Sequence, residues 1–143
     1  TMKFKTLPLA LGSVLLAACT TQAQQPLQQS DLLHRHFVLQ SVDGKVITGA
    51  KTRMEPGIEF GEKMHVSGAM CNRFMGQGEL NNNTLKVENL ASTRMACIDP
   101  ARAELDPIIS DVLSKGADIS LVKGQLILKN AKHTLVYQQR DWM

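Results

Sequence analysis

Two cysteines constrain this chain more than any other feature. Cys71 and Cys97 close the stretch S-G-A-M-C-N-R-F-M-G-Q-G-E-L-N-N-N-T-L-K-V-E-N-L-A-S-T-R-M-A-C, which begins at Ser67. Each lies near a Met and an Arg: Met70-Cys71-Asn72-Arg73 at one end, Thr93-Arg94-Met95-Ala96-Cys97 at the other. Between them, Gly76 to Leu80 and Thr84 to Val87 flank Asn81-Asn82-Asn83, and Asn suits turns because its side chain bonds nearby backbone. The stretch reads as a hairpin-like core in a fixed frame. Asn72, Arg73, Thr93 and Arg94 are its structural motif, and no catalytic centre is expected there.

The third cysteine reads as an address. Lys3 and Lys5 form a short positive start, and Leu7 to Leu16 is an apolar run. A run of about ten residues is too short to span a bilayer, which takes about 20. Leu16-Ala17-Ala18-Cys19 then resembles the bacterial lipobox, in which small residues admit the peptidase and the thiol is acylated. Residues 1–18 are therefore expected to be a signal peptide and Cys19 the lipidation site. Thr20, rather than Asp, follows the cysteine, which by resemblance to Gram-negative lipoproteins implies lipid anchoring in the outer membrane, facing the periplasm. Two or more acyl chains hold a protein there stably, where one would not. Residues 19–29 read as the lipidated Cys and a Gln-rich, uncharged tether with too little apolar surface to fold.

With Cys19 set aside, Cys71 and Cys97 are an even remainder in an oxidising compartment, which suggests a disulfide. Closing a loop of about 26 residues would contribute about 3 to 4 kcal/mol. Two free, buried cysteines or a metal-binding pair are the alternatives. The formal charge of +3 drops to +1 once Lys3 and Lys5 leave. The remaining Lys and Arg form no basic stripe, so nucleic acid is not an expected partner.

Residues 30–143 read as one domain. His36 to Val42 is a strand, Asp43-Gly44 a hairpin turn and Val46 to Thr48 the return. Ile58 to Phe60 and Met64 to Ser67 alternate apolar and polar. Gly68 implies either a positive φ or a close backbone approach. Gly76 to Leu80 is a glycine-broken strand with a bulge, Thr84 to Val87 pairs back, and Leu90 to Met95 is extended, with Arg94 reaching a carboxylate or carbonyl. Asp99-Pro100 starts a helix, a side-chain cap followed by a preset φ. Leu105, Ile108, Ile109, Val112 and Leu113 make its apolar face, and Gly116 stops it. Pro107 conflicts with a regular helix: it kinks the helix, or Asp106-Pro107 caps a second, shorter one, and a single helix with an irregular start is the favoured expectation. Ile119 to Val122, Gln125 to Lys129 and His133 to Tyr137 are the last strands. The fold class is mainly β (α+β): about eight short antiparallel strands and one main helix packed against them.

A-M-C-N-R-F-M-G-Q-G, L-A-S-T-R-M-A-C, the helix containing A-E-L and the final K-H-T-L-V-Y together resemble the META domain family, in its heat-shock lipoprotein type. Two positions depart from it: Met70, where many members carry Gly, and Glu79, where many carry an aromatic residue. The resemblance implies a partly open β-barrel with a helix against it and no established enzymatic activity. It also implies heat-inducible expression, with a link to novobiocin tolerance in one member.

The rest of the chain suggests no reaction. His34, His36, His65 and His133 lack a partnered nucleophile motif, and no G-x-S-x-G is present. Glu59 with Glu62, and Glu104 with Asp106, read as solvated surface charges. One alternative is a soft-metal, Cu(I)-type site drawn from His65, Met70, Cys71, Met75, Met95 and Cys97. Against it, Met also fills irregular core space. No catalytic residue, no resident metal and no cofactor is expected. The protein is a monomeric, non-catalytic envelope lipoprotein that binds a protein partner or a lipid.

Overall fold

In the computed structural model, residues 26–47 and 55–141 are described. Cys19, the leader, most of the tether and Thr48 lie outside them. Three two-residue turns organise the hairpins. Asp43 and Gly44, Asn82 and Asn83, and Lys123 and Gly124 all have left-handed φ, between 49° and 83°. That geometry matches the right-handed twist of the strands on either side. They join β1 (His36–Val42) to β2 (Lys45–Val46), β5 (Arg73–Asn81) to β6 (Thr84–Ser92), and β7 (Ala117–Val122) to β8 (Gln125–Lys129). The remaining strands are β3 (Gly57–Phe60), β4 (His65–Ala69) and β9 (Thr134–Gln139).

All pairings are antiparallel, in the order β2-β1-β3-β4-β5-β6-β7-β8-β9, and β1 also pairs with β9. This last ladder closes an eight-stranded barrel, with β2 as an extra strand. The expected partly open barrel is thus corrected to a closed one. Closure removes the exposed sheet edges that would otherwise template pairing with another chain.

The barrel interior is built from rows of facing residues. Phe37, Ile58, Gly68 and Phe74 stand opposite one another across β1, β3, β4 and β5. Val42, Leu135, Leu128 and Ile119 do the same across β1, β9, β8 and β7. Two irregularities keep apolar side chains inside. A register shift between Leu39 and Ser41 lets Val42, rather than Ser41, point inward. The bulge expected near Gly76 lies on β6, where Asn89 has φ 55° and β6 gains a residue against Gly76. Thr84–Val87 and Leu90–Ser92 are consequently one long strand, because a bulge bends a ladder without ending it.

The helical segment divides in two. In α1 (Pro100–Ala103) the Asp99 side chain caps the start by accepting from Ala101 N. Glu104 separates it from α2 (Leu105–Lys115), which Gly116 ends at φ 96°. Pro107 sits in the first turn of α2, where its missing N–H would have no helical partner anyway. Leu105, Ile109, Val112 and Leu113 are buried and join the barrel core. β6 and β7 share only two register pairs, Thr84–Asp118 and Leu85–Ala117, and α2 packs against β6 beside this narrow seam.

Tyr137 is fully buried, and its hydroxyl has no hydrogen-bond partner among the described residues. Burial pushes its ionisation far above the ordinary tyrosine range. A buried, unpartnered hydroxyl costs desolvation without compensation. Tyr137→Phe is therefore expected to raise stability by about 1 kcal/mol in denaturant unfolding. A loss of stability would show that the hydroxyl has a partner.

The β1–β2 turn is tied to the β8–β9 connection. Asp43 accepts from Thr134 N and pairs with His133 Nδ1, both at 2.7 Å. The His133 hydrogen bond, then the Thr134 one, holds the Asp43 carboxyl below its ordinary range. A depressed folded-state pKa gives stability that is present above the unfolded value and lost as pH falls through the folded one. Melting temperature should thus fall more steeply from about pH 5 to pH 3 in the wild type than in Asp43→Asn, whose Asn tolerates the left-handed turn. Parallel pH profiles would refute this.

Candidate functional site

Cys71 and Cys97 are joined in a disulfide, Cα to Cα 6.1 Å. It links the short β4–β5 turn, residues 70–72, to the segment leading from β6 into α1. Asn72, only 9% exposed, sits at the centre of this junction. Its Oδ1 accepts from Met95 N at 2.7 Å and from Thr93 Oγ at 2.9 Å. Its Nδ2 donates to Met95 O at 3.1 Å and to Asp106 Oδ2 at 2.8 Å. The other carboxylate oxygen, Asp106 Oδ1, accepts from the backbone N–H of both Cys71 and Asn72 at 3.0 Å. Thr93 continues the ladder, since Arg73 N donates to its Oγ1 at 3.1 Å and Thr93 N donates to Arg73 O at 2.9 Å.

A single polar network thus ties β5, the end of β6, the disulfide and the first turn of α2. Fully satisfied networks of this kind rigidify and specify one arrangement, since each buried polar group would be costly unpaired. Asp106 is well placed, because a carboxylate in the first turn meets the positive end of the helix dipole.

Asp106 is the residue that sequence reasoning missed. Taken as a solvated surface charge, it is half-buried and accepts three hydrogen bonds. The available signal was Asp106-Pro107 at a helix start, where an acceptor for nearby N–H groups is favoured. Arg94 corrects the expectation in the other direction. It is exposed, and no carboxylate or carbonyl partner is found for it among the described residues. Arg73 is exposed at the start of β5 and contributes its backbone to the Thr93 ladder.

The soft-metal candidates do not gather in this form. Cys71 and Cys97 are bonded to each other, Met70 is sealed in the core, and Met75 and Met95 are exposed on the surface. His65 is exposed at the start of β4, as its alternation with Met64 and Val66 implied. Of the paired carboxylates, Glu62 is exposed and pairs with His34 at 3.2 Å, and Glu59 is half-buried and accepts from Ser67 Oγ.

Two open grooves mark the outer surface. One, of about 590 Å³, crosses β3–β5 and is lined by His36, Glu59, His65, Ser67, Arg73 and Met75 among others. The second, about 730 Å³, lies between the short helical turn at Gln29–Asp31 and β7–β8 and includes Leu27, Arg35, Lys123 and Ile127. Neither is lined by α2, whose Ile109 and Val112 are buried in the core.

A family model described as the META domain matches residues 30–142. The chain belongs to the META domain family. Heat shock protein HslJ of Escherichia coli (strain K12) is 46% identical to it over 131 residues, covering 92% of each chain. A solution structure at 48% identity has a TM-score of 0.73, covering 78% of this chain and 94% of that one. A second, of a protein from Burkholderia xenovorans, is 20% identical with a TM-score of 0.64, over 94% of this chain and 99% of the other, and shares the fold.

Reduction is the simplest perturbation of the META frame. Breaking the bridge, which spans 26 residues, is expected to cost about 3 kcal/mol. Urea unfolding with and without a reductant measures it, and coincident curves would show that the hydrogen bonds alone hold the frame.

Proposed function

We propose that this chain is a non-catalytic, heat-shock-related envelope lipoprotein that binds a protein partner on its outer surface. Its likeness to HslJ supports the stress role. The lipobox-like Leu16-Ala17-Ala18-Cys19 supports acylation at Cys19 and an outer-membrane anchor facing the periplasm. One observation carries the binding reading: the barrel interior is filled by side chains, and Asn72, Thr93 and Asp106 spend their polar atoms on one another and on backbone. Recognition then falls to the outside, and the β3–β5 groove offers the richer mixture of acidic, basic and thioether groups. A lipid held between α2 and the sheet has less support, because Ile109 and Val112 already pack into the core. The novobiocin link follows as an envelope effect of losing that partner.

The test combines two measurements. Native mass spectrometry of the detergent-extracted full chain reports acylation of residue 19 and any co-purifying protein. A photo-crosslinker at Met75, with Val122 of the other groove as control, maps the docking face. Heat-enhanced adducts at Met75 and not at Val122 are expected. Turnover of a hydrolase substrate that is lost in His65→Ala would sink the non-catalytic reading, and the absence of adducts from heated cells would sink the partner.

A further inference from the structure

The disulfide frame also holds the makings of a metal site. Cys71 Sγ, Cys97 Sγ and a carboxylate oxygen of Asp106 lie within 4.8 Å of one another, and all three residues are half-buried. Among the described residues this is the one such grouping of three His, Cys, Asp or Glu side chains. In the oxidised chain both sulfurs are bonded to each other and offer no thiolate. We propose that, once the disulfide is reduced, Cys71, Cys97 and Asp106 bind a divalent cation of the zinc class, so that a metal takes over from the disulfide in closing the frame.

Two thiolates about 2.3 Å from a tetrahedral ion stand a little under 4 Å apart, so the sulfurs need to separate by only about 2 Å. A Cα separation of 6.1 Å allows this by side-chain rotation alone. Asp106 is already oriented. Cys71 N and Asn72 N hold its Oδ1, which leaves Oδ2 3.8 Å from Cys97 Sγ. Asn72 Nδ2 donates to that same Oδ2 and lies 3.8 Å from Cys97 Sγ, the kind of outer donor that orients metal ligands. Met95 O, also 3.8 Å from Cys97 Sγ, or a water can complete four-coordination. Two sulfurs in three ligands select against magnesium and calcium, which take oxygen.

The chemistry balances with a dithiol reductant. It supplies two electrons and two protons, the S–S bond breaks, two thiols form, and the reductant becomes a disulfide. The cation then displaces both thiol protons to solvent and meets two thiolates and one carboxylate.

The test uses the full chain carrying Cys19→Ser, so that Cys71 and Cys97 are its only thiols. A phosphine reduces it without adding a competing thiol, and Co²⁺ serves as the spectroscopic probe. The reduced chain should bind one equivalent, with thiolate-to-cobalt charge transfer and tetrahedral visible bands that Zn²⁺ abolishes. The oxidised chain should show neither. Zn²⁺ should raise the melting temperature of the reduced chain alone. Asp106→Asn should weaken binding by about 100-fold. Because that variant also disturbs the frame, Cys97→Ser, which leaves the Asn72–Asp106 bonds intact, should lose the charge-transfer band as well. The proposal is overturned by a reduced chain with no cobalt spectrum or no β-sheet circular dichroism. It is equally overturned by metal uptake in the oxidised chain, or by wild-type affinity in either variant.

Discussion

Asn72→Ala is expected to cost about 4 kcal/mol, a large share of the 5–15 kcal/mol that holds a typical domain together. The side chain makes four hydrogen bonds to oxygen and nitrogen partners within 3.1 Å. Each contributes about 1 kcal/mol net, and its removal also strands the Met95 N–H and one oxygen of Asp106 away from full solvation. The loss should appear as a lower urea midpoint at unchanged slope, since the unfolded chain exposes the same surface. Asn72→Asp should also destabilise, by facing a second carboxylate toward Asp106 Oδ2. Thr93→Val removes fewer bonds and should cost about 1 kcal/mol. A loss under about 1 kcal/mol for Asn72→Ala would mean that the disulfide alone holds the junction.

Gly68→Ala is expected to cost about 3 kcal/mol, although it adds one methyl group. A Cβ at Gly68 would lie 2.2 Å from Gly57 O, 2.7 Å from Phe74 Cζ and 3.0 Å from Ile58 Cα. The Phe74 ring could swing aside, but the other two atoms are backbone of the neighbouring strand β3. The β3–β4 ladder therefore has to open, or the strands shift, in an interior packed at crystal-like density. The sequence left Gly68 between a positive φ and a close approach, and the structure selects the close approach. Circular dichroism melts should show a loss well beyond the 0.5–1 kcal/mol scale of ordinary Gly-to-Ala propensity effects. A neutral or stabilising result would mean that the inner row of Phe37, Ile58, Gly68 and Phe74 has room to spare.

Much of this architecture is written in local chemistry. Asp43-Gly44, Asn82-Asn83 and Lys123-Gly124 sit where the chain reverses, because few residues accept left-handed φ. The β-branched and aromatic content of His36 to Val42, the alternation of Ile58 to Phe60 and the Asp99-Pro100 start are equally local, and each appears in the structure within a few residues. The elements that went astray depend on a neighbour. Thr84 to Val87 and the first part of Leu90 to Met95, as far as Ser92, form one strand because Asn89 bulges opposite Gly76. Arg94, expected to reach a partner, faces outward.

What the sequence determined by itself was the inventory: strands, turns, one amphipathic helical segment, a bracketed cysteine pair and a family signature. Those properties follow from residue-by-residue preferences and from side-chain period, which need no distant partner. Closure of the barrel and the role of Asp106 were decided by tertiary structure alone. β1 meets β9 across about 100 residues of chain, and Asp106 meets Asn72 across 34. Neither strand nor carboxylate carries a local mark of its partner, because a hydrogen bond of that range is specified by where the intervening chain places its two ends.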